Sequence, residues 1–121
     1  MGKRLMIVDD SCAIELQIRQ LLEGTEFDVV GYCPDGETAI ERYAKLKPDL
    51  VTMDIIMPGI DGLEAAQAIL EEHPNARIVM ISSLAYDGTI HEAEAIGAKG
   101  FLAKPFSEED LIDTLRSALK D

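Results

Sequence analysis

Five short apolar runs punctuate the chain: Leu5–Val8, Phe27–Tyr32, Leu50–Met53, Arg77–Ile81 and Gly100–Ala103. Each has the length and the β-branched or aliphatic content of a strand. Between them, apolar positions recur at helical spacing. Ile14, Ile18, Leu21 and Leu22 share one face, closed by Gly24 as a C-terminal stop. Glu37 to Leu46 reads as a helix ended before Pro48, and Leu63, Ala66, Ile69 and Leu70 form a stripe stopped by Pro74. The clearest helix carries Leu111, Leu115, Ala118 and Leu119 after Ser107, with Asp110 placed as in a capping box. The segment from Tyr86 to Ala98 is the weakest. It is Ala-rich, has only Ile90 and Ile96 as large anchors, and is expected to be the most mobile element.

Strands that alternate with helices predict βαβ units: an α/β fold with a doubly wound, five-stranded parallel sheet, (βα)5, in three αβα layers. Right-handed crossovers leave few topologies. No repeat, linker or low-complexity segment interrupts the pattern, so residues 1–121 read as a single domain. Hydrophobic content of 47% fits a soluble globular chain, and no apolar run approaches the ~18 residues of a membrane span. A cytoplasmic location follows as the expectation. Cys12 and Cys33 lack metal-ligand spacing and read as free thiols of a reducing compartment. Net charge is −12, from 11 basic and 23 acidic residues. Such a surface repels a nucleic-acid backbone and argues against direct binding to it. It attracts a divalent cation or a basic protein partner instead.

In a parallel sheet all strand C-terminal ends meet along one edge, where ligands bind. The first apolar run leads into Asp9-Asp10, "LVTMD" ends in Asp54, "RIVMIS" in Ser82, and "GFLA" leads into Lys104-Pro105. The second run ends uncharged, at Cys33-Pro34. Singly, three have a plain structural account: Asp10 as the cap of a helix near Ala13, Ser82 as a turn hydroxyl, Lys104 as a surface lysine. Asp54, before the apolar "IIMPG" loop, is harder to dismiss even alone, because the sequence after it offers no polar partner. Jointly, these accidents would all have to fall on one edge. Three crowded carboxylates need a cation to stay ionised. Mg²⁺ suits an all-oxygen donor set, with Mn²⁺ as a substitute, whereas zinc is disfavoured without His or Cys. A lysine facing the same carboxylates would hold Asp54 ionised and nucleophilic. Metal, lysine and hydroxyl together match the oxygens of a phosphoryl group in transfer. His73 and His91 read as solvated, and Met53, Met57 and Met80 as packing.

"IVDD", "PDGETAI", "MDIIMPGIDG", "MISS" and "KPF", in this order over the whole chain, resemble the receiver domain of two-component response regulators, above all the free-standing, chemotaxis-type ones. The resemblance implies the flavodoxin-like strand order 2-1-3-4-5. It implies that Asp54 takes a phosphoryl group from a sensor histidine kinase or phosphotransfer protein. Asp10 would hold Mg²⁺ directly and Asp9 directly or through water, with Asp54 and the backbone carbonyl of Ile56 completing the protein ligands. Lys104, before a cis bond to Pro105, would contact a phosphoryl oxygen. Ser82 would swing towards the phosphate and Phe101 turn inward, altering the face made by the fourth helix, fifth strand and fifth helix. A downstream protein such as a flagellar motor switch would dock there, and phosphorylation could drive dimerisation. Neither nucleic acid nor membrane is an expected direct partner, and the only chemistry assisted would be the protein's own phosphorylation and dephosphorylation.

The chain departs from the pattern in four places. Ser82 stands where Thr is commoner, Phe101 where Tyr is, Ile56 replaces a frequently polar residue, and Leu84 lies two after the switch serine. Neither Ile56 nor Leu84 can orient a hydrolytic water, which predicts slow self-dephosphorylation. Competing readings are a receiver cut from a longer, DNA-binding regulator and a receiver-like module that is not phosphorylated. A metal-dependent phosphatase is disfavoured because Ile56 stands where its second Asp belongs. A flavin carrier is disfavoured because the loops lack a phosphate cradle.

Overall fold

A computed structural model describes residues 2–120. Strands and helices alternate throughout: β1 (Lys3–Val8), α1 (Cys12–Leu21), β2 (Phe27–Cys33), α2 (Gly36–Leu46), β3 (Leu50–Asp54), α3 (Gly62–Glu72), β4 (Ile78–Ser82), α4 (Asp87–Ile96), β5 (Gly100–Ala103) and α5 (Glu108–Ala118). The strands pair in parallel in the order β2-β1-β3-β4-β5, as the resemblance implied. The order reverses at β1, whose two neighbours are β2 and β3, and this opens a crevice above their C-terminal ends.

Period-two alternation sorts the strand side chains into two cores. Leu5, Ile7, Leu50, Val79 and Ile81 meet Ile18 and Leu22 of α1 and its flank, and Leu111 and Leu115 of α5. Met6, Val8, Val51, Met53, Ile78 and Met80 meet residues of α2, α3 and α4 on the other face. Strands β3 and β4 are buried along their whole length, which is why they read as continuous apolar runs. Each fully buried Leu or Ile in these layers contributes roughly 2 kcal/mol. The three methionines named above pack in the core as expected. Among the described residues no helix is long and apolar enough to cross a membrane.

Four helices begin on a side-chain cap. Ser11, Asp35, Asp61 and Ser107 accept from the N–H of Ile14, Thr38, Glu64 and Asp110. Asp10 is therefore not the cap of α1; Ser11 is, and Asp10 is left exposed. Helix α4 begins at Tyr86 with no such bond. Its buried positions are Thr89 and Ala93, not the large anchors expected. The stripe is centred on Ala93, so Ile90 and Ile96, three residues to either side, lie on its flanks and are half-buried. One histidine also differs from expectation. His91 is exposed, but the His73 ring packs against Tyr43 with centroids 4.9 Å apart and is half-buried.

Candidate functional site

The sheet edge gathers the polar residues that the sequence scatters. Asp9 follows β1, Asp54 ends β3, Ser82 ends β4 and Lys104 follows β5. Carboxylate oxygens of Asp9, Asp10 and Asp54 lie within 4.8 Å of one another. Asp9 and Asp54 are only 2% and 6% exposed, while Asp10 faces solvent. Asp9 Oδ1 accepts from the Ser11 N–H at 2.9 Å, which fixes its carboxylate. Lys104 Nζ donates to Asp9 Oδ2 at 3.0 Å and stands 3.5 Å from Asp54 Oδ1. The lysine thus bridges two acids, and the nearer one is Asp9, a pairing that sequence reasoning missed.

Burial pushes the Asp54 carboxyl up, and Asp9 and Asp10 push it further; Lys104 and the Ile56 N–H pull it down. The net result is a pKa raised to about 6. Lys104 pulls in the expected direction, and at about 6 the carboxyl is still mostly ionised at neutral pH; one cation shared between crowded acids does not cancel the burial and the repulsion. A hard divalent cation fits such a donor set. The donors are all carboxylate oxygens, they lie close enough to share one ion, and their repulsion is what an ion would relieve.

The loop after β3 is built for close approach. Gly62 N donates to the Ile55 carbonyl at 2.7 Å. A Cβ on Gly62 would collide with the Asp54 carbonyl, so no other residue fits without moving the backbone. Gly62 was not singled out from sequence, although the Asp-Gly closing "MPGIDG" was its signal. Ser82 is wholly buried, with its hydroxyl accepting from the Leu84 N–H at 2.9 Å in the turn that leaves β4. Phe101 is half-buried and lines a groove with Ile90, Ala93 and Ala98. The Lys104–Pro105 bond is cis, as implied. Ile56 and Leu84, in the loops after β3 and β4, are 54% and 38% exposed. Both cysteines are free, Cys12 exposed and Cys33 buried.

Comparison with known proteins agrees with this geometry. The response regulator receiver domain model matches residues 5–116. The chemotaxis protein CheY of Thermotoga maritima is 37% identical over 120 residues, covering 99% of this chain and 100% of that protein. Among solved structures, CheY in the CheX-CheY-BeF3-Mg+2 complex from Borrelia burgdorferi superposes with a TM-score of 0.94 at 31% identity. That match covers 98% of this chain and 90% of that one. The response regulator domain of Thermotoga maritima CheB gives a TM-score of 0.90 at 33% identity, covering 98% and 97% of the two chains. Sheet order, acid cluster and near-full-length matches converge: the chain belongs to the response regulator receiver domain family, as a CheY-like member.

Proposed function

We propose that this receiver is switched by phosphorylation of Asp54, and that residues 1–121 act as one signalling unit in the cytoplasm. The observation that carries the reading is Lys104 Nζ held between Asp9 and Asp54, 3.0 and 3.5 Å from their carboxylate oxygens. An Asp54 oxygen attacks the phosphorus of a phosphohistidine on a sensor kinase or phosphotransfer protein. The P–N bond breaks in line, and its electron pair leaves with the imidazole, giving an acyl phosphate. Asp10, Asp54 and the Ile56 carbonyl would hold Mg²⁺ or Mn²⁺, with Asp9 assisting directly or through water. The bound cation supplies neutralisation of the phosphoryl oxygens. Lys104 turns from the acids to a phosphoryl oxygen, and Ser82 gives up the Leu84 N–H to donate to another. Phe101 then moves inward and reshapes the face made by α4, β5 and α5, where a target protein docks. With Ile56 and Leu84 unable to orient a water, the acyl phosphate decays slowly.

The test is incubation with acetyl phosphate and Mg²⁺ followed by intact-mass measurement. One added phosphoryl group is expected on the native chain and none on Asp54→Asn. Uptake by the variant, or no uptake by either, overturns the reading.

A further inference from the structure

The loop that carries the chain from Ile56 to α3 is gripped midway by a side chain of α2. Glu37, in the first turn of α2, accepts from the Ile60 N–H at 3.2 Å. Gly59 lies against the same carboxylate with φ +80°, and a Cβ there would fall 2.7 and 2.9 Å from Glu37 Oε2 and Oε1. Only glycine can take that backbone conformation without strain and leave room for the carboxylate. Beneath it, Gly36 lets α2 close on Ile60 and Ala65. The Gly59–Ile60 turn is thus wrapped around a carboxylate belonging to another element. At its other end the loop is tied to the site itself, where the Ile56 N–H donates to the Asp54 carboxylate; Glu37 holds it from a different element.

We infer that Glu37 is a positioning residue for the metal site: by clamping the Gly59–Ile60 turn it fixes where the loop presents the Ile56 carbonyl. This rests on the reading above, in which that carbonyl holds the cation. The link is mechanical. Pro58 fixes its own φ and restricts Met57, so a shift at Gly59 is passed back towards Ile56 rather than absorbed. Mg²⁺ demands near-ideal octahedral geometry, so a small displacement of one ligand weakens binding. An acid in the first turn of α2 also suits the helix dipole, but that alone does not require a neighbouring loop to close around it.

Calorimetric titration with Mg²⁺ of the wild type, Glu37→Ala and Glu37→Gln separates these accounts, with melting in EDTA as a control for folding. Glu37→Ala is expected to bind Mg²⁺ about fivefold more weakly, the size of one lost surface hydrogen bond to a charged acceptor. Glu37→Gln loses the charge but keeps the acceptor, and is expected to stay within about twofold of wild type on the same scale. In EDTA all three chains should melt cooperatively, Glu37→Ala no more than a few degrees below wild type. Equal affinity in all three proteins overturns the inference, as does an equal loss in both variants, which would mark a charge effect. A wild-type chain that binds no Mg²⁺ overturns the metal reading itself, and this inference with it.

Discussion

The two edges of the sheet use charge in opposite ways. At the N-terminal edge, charges close the fold. The Arg4 guanidinium donates to the Leu46 and Lys47 carbonyls at 2.7 and 3.1 Å and so ends α2, while its backbone N–H donates to Asp49. Arg77 does the same for α5, reaching the Ala118 carbonyl at 2.9 Å. Each cation meets the negative end of a helix. At the C-terminal edge, three acids crowd around one lysine, and every helix opens there with an acid in its first turn. Two residues below Asp54, the Thr52 hydroxyl is buried without a protein partner. One edge stabilises the molecule; the other is held in place by it, at a cost that a cation can relieve.

The largest test of that contrast is Asp54→Asn. The folded pKa of Asp54 is raised from 3.8 to about 6. Below 3.8 both folded and unfolded chains are protonated and the group costs nothing. Between 3.8 and about 6 the folded chain keeps a proton that the unfolded chain has lost, so stability falls as pH rises. Above about 6 the penalty is complete, on the order of 2–3 kcal/mol. In urea unfolding at pH 7.5 with EDTA, Asp54→Asn should therefore be more stable than wild type by about that amount. The gap should close as the pH is brought below the unfolded value, and should shrink when Mg²⁺ is added to the wild type. A variant no more stable than wild type at pH 7.5 breaks the comparison at its stronger end.

Period and punctuation made the fold legible. The runs around Leu50 and Ile78 are buried on both faces and could only be central strands, and Ser107 with Asp110 marked α5 unaided. Helix α4 was harder to read because Thr89 and Ala93, which bury its face, carry almost no hydropathic signal. Half of the site was legible for a similar reason: strand ends in a parallel sheet converge whatever their spacing in sequence. The pairing of Lys104 with Asp9 was not, since proximity at an edge does not rank partners, and the backbone bond from Ser11 that orients Asp9 has no sequence signature. The direction of the Asp54 shift was hidden too. It is a contest between burial and one shared cation, and only distances decide it.

At the N-terminal edge, Arg4→Met should cost stability and nothing else. It removes two hydrogen bonds to the end of α2 but leaves the Leu46 and Lys47 carbonyls open to water. The expected loss is about 1 kcal/mol, from the cap and the helix dipole together. Mg²⁺ affinity and phosphoryl uptake from acetyl phosphate should match wild type, because every group named at the site lies at the other end of the strands. A shift in Mg²⁺ affinity would mean that the two edges are mechanically coupled and that their division of labour is false.

Ile56→Asn applies the smallest change, and to the edge where function should move while stability does not. The Ile56 backbone serves the site, since its N–H bonds the Asp54 carboxylate, but its side chain is more than half exposed. Replacing an exposed side chain in a loop should alter stability by no more than about 0.5 kcal/mol. An amide at that position, unlike a sec-butyl group, can hydrogen-bond a water and aim it at phosphorus, which belongs to the transition state for loss of the phosphoryl group. Decay of the phosphorylated chain, followed by intact mass after the phosphodonor is removed, should quicken about three- to fivefold, or just under 1 kcal/mol of barrier. Unchanged decay would show that the water arrives by another path. Faster decay with a matching loss of stability would assign the effect to a loosened loop, and the C-terminal edge would then be no different in kind from the edge that Arg4 closes.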